Sequence, residues 1–284
     1  DKGMLVSGKV NGKLGGGDIV DPMLLVFGDR ATFEAEGVEF DIENIVTNTA
    51  KEWFSDNLRF VDPSQIEYQI ELKSGSSELT DIFRRNEKGE VLGANDTSAA
   101  VGYAPFTFTE WIVHETEKYL NSPTFKKEYP ESGEDVKIMG VRSDNRIHFT
   151  VAMPLIDRFV DSENEYFRTK HEILNEIEDF VSKYAETESN PLFTSISLNT
   201  LDEPGRGLNG IYTTVTGTSA EDADCGQVGR GNRVNGIIPL NRPSSAEAAA
   251  GKNPVSHVGK IYNALSHKIA YKLYNEIPDI SEAY

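Results

Sequence analysis

The sequence predicts an α+β fold in which helices cover antiparallel or mixed sheets. Residues 66–73 alternate apolar with charged or polar side chains, which is typical of a half-buried strand. Residues 136–153 indicate a strand hairpin that turns at residues 143–145. Residues 162–185 repeat apolar side chains at helical spacing. Strands paired as hairpins and interleaved with long helices favour the α+β class.

The elements before the hairpin follow from local pattern. Residues 4–27 predict two short apolar strands around a glycine cluster, and residues 107–121 predict a helix. Thr107 stands three positions before Glu110, which is the spacing of a capping box at a helix start. Residues 43–58 predict another helix. Its apolar face is expected to comprise Ile45, Thr49, Trp53, Phe54 and Leu58.

After the hairpin the pattern predicts a long helix, two strands and a last helix. The strands lie near 194–200 and 211–217, and the last helix runs from about 258 to 274. The apolar face of the long helix is expected to comprise Phe167, Ile173, Leu174, Ile177, Phe180, Val181 and Tyr184.

We expect three portions, with uncertain boundaries. Residues 1–130 form a first α+β portion and residues 131–190 form the hairpin with its long helix. Residues 191–284 contain strands, a loop rich in glycine and arginine, and the last helix. The polar stretch 186–191 is the best candidate boundary, because no linker rich in proline, glycine or serine interrupts the chain.

Composition excludes several classes of protein. The 284 residues have a net charge of −18, which argues against nucleic-acid binding because that function needs a basic surface. No apolar run is long enough to span a membrane. A single cysteine forms no internal disulfide, and the first ten residues lack the apolar segment of a signal peptide. We therefore expect a cytoplasmic protein without nucleic-acid or membrane partners.

The stretch EDADCGQVGRGNRVNG, residues 221–236, concentrates acids, glycines and arginines. Residues 226–260 have five basic side chains against one acid, Glu247. Glycines let the backbone N–H groups approach a ligand, and together with the basic side chains they favour binding of a polyphosphate. The acids just upstream are suitable ligands for a hard cation such as Mg²⁺. The alternative is that the glycines serve turns and the charges only face solvent. The basic side chains are Arg230, Arg233, Arg242, Lys252 and Lys260.

Three other stretches are weaker candidates for ligand binding. Asp96 lies among small residues between a predicted strand and a capped helix, where it can equally serve as a turn residue. Lys137 opens a predicted strand. Ser74 and Gly75 belong to a Ser/Gly turn, residues 73–81, that could approach a ligand.

Several familiar motifs are excluded. The glycines after residue 225 do not fit the dinucleotide fingerprint, and the segment ending at Lys252 lacks the upstream glycine and the Ser/Thr of a Walker A loop. The five histidines are scattered without metal-ligand spacing. Cys225 has no evident base, so it is an improbable nucleophile.

Four segments in this order resemble the archaeal-type S-adenosylmethionine synthetases. They are GANDTSAAVGYAP, GEDVKIMGVR, TVTGTSAEDADCGQVGRGNRVNG and EAAAGKNPVSHVGKIYNAL, and the last two are long and specific. The resemblance implies three intertwined α+β domains, a homodimer with a shared active site, Mg²⁺ dependence and often activation by K⁺. It implies the reaction of ATP, L-methionine and water to S-adenosylmethionine, phosphate and pyrophosphate.

The resemblance also implies roles for individual residues. Asp96 would hold methionine or the adenosine near the sulfur, and Asp224 would line the methionine and cation region. Lys137, Arg230 and Lys252 would grip the phosphates during the reaction. Arg233 is a further cation by position only, and Ser74 and Gly75 are expected near the nucleotide. In this reaction, cations stabilise the triphosphate that leaves, and carboxylates stabilise the sulfonium that forms. This would explain why one loop contains both basic and acidic side chains.

The chain also departs from the family pattern. Lys73 and Ser74 stand where relatives have Gly and Gln, SAAVG replaces a Phe-Gly version beside Asp96, and Ser256 stands where Asn is usual. The Gly-His-Pro-Asp motif, whose histidine assists catalysis, does not occur in these residues. We therefore expect a central fragment, cut at both ends and inactive by itself. The alternative functions are a non-catalytic nucleotide- or polyphosphate-binding protein and an acidic oligomeric scaffold.

Overall fold

The fold is described from a computed structural model of the chain. For residues 3–6, 29–31, 79–80 and 83 only the backbone is described. In the described part, no helix has the length and apolar character needed to cross a membrane. The described residues are 3–6, 8–31, 37–39, 41–90, 98–186, 192–218, 221, 233–245, 249, 252 and 257–284.

The N-terminal part combines a mixed sheet with a small ribbon and two helices. In the sheet, β4 lies between β1 and β5, antiparallel to β1 and parallel to β5, and α1 makes the crossover between β4 and β5. The ribbon pairs β2 with β3 in antiparallel register. The elements are β1 (Gly3–Val6), β2 (Lys9–Asn11), β3 (Asp18–Asp21), β4 (Met23–Ala31), α1 (Ile42–Asn57), β5 (Ile66–Ser74) and α2 (Ser77–Glu87).

The central and C-terminal parts contain a second mixed sheet. Its central strand, β7, pairs antiparallel with β6 and parallel with β9, while β8 and β10 form a short parallel pair. The elements are α3 (Phe108–Leu120), α4 (Pro123–Glu128), β6 (Lys137–Ser143), β7 (Arg146–Ala152), β8 (Leu155–Ile156), α5 (Glu163–Ala185), β9 (Phe193–Leu198), β10 (Thr213–Thr214) and α6 (Val258–Glu276).

The main core lies between α5 and one face of the second sheet. Ile173 and Ile177 of α5 and Phe149 of β7 are fully buried there, together with Ile112 of α3. A smaller core packs α1 against the first sheet. Burying apolar side chains at about 25 cal/mol per Å² is the main stabilising contribution of such cores.

Most predicted elements are confirmed. The hairpin, the strand from Ile66, the capped helix α3 and the long helix α5 have the expected bounds, and the capping box of Thr107 and Glu110 is formed in both directions. The last helix is also confirmed and extends to Glu276. The long helix buries Tyr166 in addition to the predicted face.

Some details of the prediction are wrong. On α1 the buried residues are Ala50 and Phe54, whereas Ile45 and Trp53 are about half exposed, because the sheet packs on the other side of the helix. The N-terminal segment forms four strands, not two, among the residues described. Helices α2 and α4 were not predicted, and the strand expected at 211–217 is limited to two residues.

Candidate functional site

Two of the predicted segments meet where the turn before β6 contacts the segment after β10. The Asp135 amide donates a hydrogen bond to the Gly217 carbonyl over 3.2 Å. Gly217 has φ +92°, a left-handed conformation that favours glycine, and it lies four positions before Glu221, the first acid of that stretch. The turn that leads to Lys137 is therefore fixed against the start of the loop that contains the candidate acids and arginines.

Two basic side chains, Lys126 and Arg59, hold the turn before β6 through hydrogen bonds. The buried Lys126 ammonium donates to the Gly133 carbonyl over 2.6 Å and to the Ser132 hydroxyl over 3.2 Å. The Arg59 guanidinium donates to the Ser132 carbonyl and forms an ion pair with Glu134, whose Oε1 lies 2.5 Å from Nε. Burial lowers the pKa of Lys126 from 10.5 to about 8. The turn is thus held by Lys126 of α4 and by Arg59, which lies just beyond the end of α1.

Lys137 is the first residue of β6, as the sequence predicts. Its side chain is 60 % exposed and its ammonium lies 2.5 Å from Oδ1 of Asp135. Since strand residues alternate between faces, Lys137 shares its face with Met139 and Val141, which are also exposed. The ammonium is accessible to an anionic ligand, and Asp135 restricts its position.

Glu221 is the one described residue of the 219–232 region, and it faces inward. Its carboxylate accepts hydrogen bonds from the backbone amides of Val215 (2.5 Å) and Thr216 (2.6 Å) and from the Thr216 hydroxyl. The residue is 2 % exposed, and burial raises the pKa of its carboxyl group. Both carboxylate oxygens already have donors, so Glu221 is anchored to residues 215–216 and is not a free ligand.

The segment after Asp96 meets the segment after Arg230 and helix α6. The Val101 amide donates to Oγ of Ser245 over 2.8 Å, and the Tyr103 amide donates to Nδ1 of His267 over 3.3 Å. Arg242 lies above the Tyr103 ring, with its guanidinium carbon 4.4 Å from the ring centroid. These contacts join three parts of the chain that are distant in sequence.

Arg242 is a structural cation here. Its side chain is 5 % exposed and pairs with Glu110 of α3 over 3.0 Å. Glu110 also belongs to the capping box of α3, so this ion pair ties the loop to the start of that helix. Arg242, one of the five predicted cations, therefore stabilises the fold through its ion pair with Glu110.

Arg233 and Lys252 have different surroundings. Nε and Nη1 of Arg233 are buried and have no hydrogen-bond partner, whereas the backbone carbonyl of Lys252 accepts from the Lys260 ammonium over 2.8 Å. Ser74 ends β5, and Gly75 lies in the short connection to α2, so the predicted turn is a strand-to-helix connection. Asp96, Asp224 and Arg230 lie outside the described residues.

A metal centre is not assembled in the part of the chain that is described. No group of three or more His, Cys, Asp or Glu side chains there could hold a metal ion. Asp135 is paired with Lys137, and Glu221 is fully hydrogen bonded. Carboxylates suit Mg²⁺, but the predicted ligand Asp224 is not among the described residues.

The sequence did not predict the residues that support two contacts, namely that of Asp135 with Gly217 and that of residues 101–103 with Ser245 and His267. Arg59 lies 75 positions from its ion-pair partner Glu134, and no local motif marks Arg59 or Lys126. Tyr103 lies inside a quoted segment, but its pairing with His267 of α6 depends on tertiary structure.

Comparison with known proteins identifies the class. The sequence profile described as S-adenosylmethionine synthetase (AdoMet synthetase) matches residues 1–284. The chain is 43 % identical over 286 residues to a probable S-adenosylmethionine synthase of Aquifex aeolicus, covering all of this chain and 70 % of that protein. It is 44 % identical to the synthase of Pyrobaculum aerophilum and 41 % to that of Thermococcus onnurineus, covering 70 % and 69 % of them.

A solved structure supports the fold. An S-adenosylmethionine synthetase from Campylobacter jejuni aligns with a TM-score of 0.56 at 15 % identity, over 96 % of this chain and 64 % of that one. The chain belongs to the S-adenosylmethionine synthetase family. Its function is that of the family: a methionine adenosyltransferase, which forms S-adenosylmethionine, phosphate and pyrophosphate from ATP, methionine and water.

Proposed function

We propose that the turn before β6 and the loop after Gly217 form the phosphate-binding wall of the adenosyltransferase site. The observation that supports this is the hydrogen bond between Asp135 and Gly217, which holds the first residue of β6, Lys137, near the start of the acidic and basic loop. Charge on a leaving triphosphate grows in the transition state, and a positioned ammonium stabilises it there.

The remaining residue roles are also proposals. Arg230 and Lys252 contact the triphosphate, and Arg233 supplies a further cation. Asp96 and Asp224 face the methionine and the forming sulfonium, whose positive charge carboxylates stabilise. Ser74 and Gly75 lie next to the nucleotide. Support comes from the chemistry of these side chains and from the segments of the family pattern that contain them.

Mg²⁺ is the proposed metal, with Asp224 as a ligand, and K⁺ is a proposed activator. When bound, Mg²⁺ neutralises phosphate charge and orients the leaving group. Three positions before Asp224, Glu221 accepts three hydrogen bonds, two of them from backbone amides.

The proposed assembly is a homodimer with a shared active site. Met139, Val141 and Phe193 are each at least half exposed on the second sheet, opposite its core. Lys137 lies on the same face of β6. Exposed apolar side chains that share a sheet face with Lys137 support an interface beside the active site.

The test is Lys137→Met in the full-length protein, assayed for S-adenosylmethionine formation. We expect kcat to fall by about 10²–10³-fold, the usual effect of removing one preorganised electrostatic group. Lys118→Met is the matched control, because Lys118 is 57 % exposed and pairs with Glu115 as Lys137 pairs with Asp135. Unchanged kcat in a folded Lys137→Met protein would show that Lys137 is outside the site.

A further inference from the structure

Four consecutive residues, 101–104, are held by the C-terminal part of the chain. At one end, the Val101 amide donates to Oγ of Ser245 over 2.8 Å. At the other end, Ala104 and Ala283 exchange two backbone hydrogen bonds of 3.0 and 2.8 Å. Both ends of this short segment are therefore fixed by partners more than a hundred positions away in the sequence.

Between these two contacts the segment crosses directly over α6. A Cβ at Gly102 would overlap the backbone of Ser266 and His267, so the two stretches of backbone touch there. Glycine permits this close approach, and the contact fixes the point on the helix at which the segment crosses. It does not, however, provide an acceptor for the amide of the next residue, Tyr103.

The side chain of His267 provides that acceptor. Nδ1 of His267 accepts a hydrogen bond from the Tyr103 amide over 3.3 Å. The imidazole also packs edge-on against the Tyr103 ring, with 5.0 Å between the ring centroids. Tyr103 is 1 % exposed, and a buried amide that loses its acceptor is costly to leave unpaired. His267 therefore holds Tyr103 through both its backbone and its side chain.

We infer that His267 is a positioning residue for methionine binding. The inference rests on the proposed function, in which Asp96 faces the methionine. Asp96 lies seven positions before Tyr103 in the same quoted segment, so the anchor at Tyr103 restricts the chain that leads back to it. A displacement of about 1 Å in a substrate-binding group can cost about 10²-fold in rate. His267 acts through the Tyr103 backbone and takes no part in the chemistry.

The contact depends on the protonation of the imidazole. Nδ1 accepts the Tyr103 amide only when it carries no proton, so the neutral ring has its proton on Nε2. Burial lowers the pKa of His267 below its ordinary value of 6.5. The contact is therefore kept at neutral pH, and it is lost when the ring is protonated in acid.

No negative charge on the described groups around the ring would favour its protonation. The ring borders a narrow cleft that has room for about one water molecule. The described lining of the cleft includes no carboxylate, and Glu110 nearby is paired with Arg242. The other titratable or charged side chains near the ring, in space or along α6, are Tyr103, Arg233, Lys268 and Tyr271.

The experiment compares two substitutions of His267 in the full-length protein. His267→Phe keeps an aromatic ring and removes the acceptor, so we expect the KM for methionine to rise about tenfold and kcat to change less. His267→Asn places an oxygen where Nδ1 was and removes the ring, so its KM should stay within about threefold of the wild type. A ring that serves packing alone would give the opposite order. His171→Phe is the control, because His171 is exposed on α5.

The pH profile gives a second readout. Relative to His267→Asn, which cannot titrate at this position, the wild type should lose methionine affinity about tenfold between pH 7 and about pH 5. The same pH dependence in both proteins would overturn the inference. So would a wild-type KM for methionine in folded His267→Phe.

Asp96→Asn separates this inference from the proposed function on which it rests. A raised KM for methionine in Asp96→Asn with an unchanged KM in His267→Phe would exclude His267 alone. An unchanged KM in Asp96→Asn would instead contradict the proposed role of Asp96. The effect of Lys137→Met on kcat tests the phosphate-binding wall independently of both.

Discussion

Lys126 is the residue whose burial most affects how the candidate site is held. It is 7 % exposed, and its ammonium donates to the Ser132 and Gly133 carbonyls. Burying an ammonium is unfavourable unless hydrogen bonds compensate, and here they hold the turn that leads to Lys137. The same burial makes the stability of the protein depend on pH in a specific window.

We predict that stability rises between pH 8 and 10.5 because of Lys126. Its pKa is about 8 in the folded chain, against 10.5 for an ordinary lysine. Between these values the unfolded chain binds the proton and the folded chain releases it, so rising pH favours folding. Relative to Lys126→Met, the free energy of unfolding should increase by about 3 kcal/mol across the window.

Urea unfolding at several pH values measures this difference. Lys118→Met is the control, since Lys118 is 57 % exposed. A difference between the wild type and Lys126→Met that does not vary with pH would mean that Lys126 keeps an ordinary pKa in the folded protein.

At the scale of elements, the packing of α3 on β6 depends on Gly140. A Cβ at Gly140 would lie 2.6 Å from Cγ2 of Val113, which is too close without a shift of the helix. We predict that Gly140→Ala lowers the free energy of unfolding by about 1–3 kcal/mol, as overpacking typically does.

Gly28→Ala is the matched control for that prediction. Gly28 also lies within a strand, and its Cβ would meet only Cβ of Glu71 at 3.9 Å, an ordinary contact. We expect its unfolding energy to stay within about 0.5 kcal/mol of the wild type. Equal effects of the two substitutions would contradict a specific role for Gly140.

Helices and turns could be predicted where neighbouring residues in the sequence determine them. The capping box of Thr107 and Glu110 and the hairpin turn, where Asp144 has φ +53°, depend on neighbouring residues. The buried face of α1 was not predictable, because Trp53 and Phe54 are both apolar and only the position of the sheet decides between them.

The candidate site was predictable as segments but not as an arrangement. The quoted motifs located Lys137 and Arg233, whose residue types suit an anion. The cleft beside Arg233 requires Tyr103, Asn235 and His267, which come from three separate segments. No spacing rule relates such residues, since only tertiary packing brings them together.

At the scale of the whole molecule, the second sheet has one covered face. Phe149 and Val151 of β7 are buried against the core with α5. The opposite face exposes Met139 and Val141 at 50 % and 51 %, and Phe193 at 68 %. A solvent-facing side of a sheet is usually polar, so these apolar residues indicate a surface covered in an assembly.

The last prediction is that this face forms the proposed homodimer interface. Val141→Lys would bury an unpaired charge there, and two-fold symmetry would bring the same charge from both subunits into one interface. We expect the wild-type full-length protein to sediment as a dimer at micromolar concentration and the variant to dissociate about a hundredfold more readily. Leu201→Lys is the control, because Leu201 is 91 % exposed in a turn outside this sheet. If the active site is shared, S-adenosylmethionine formation by Val141→Lys should recover as protein concentration rises. A Val141→Lys protein that stays dimeric would place the interface elsewhere, and a wild-type monomer would exclude the dimer.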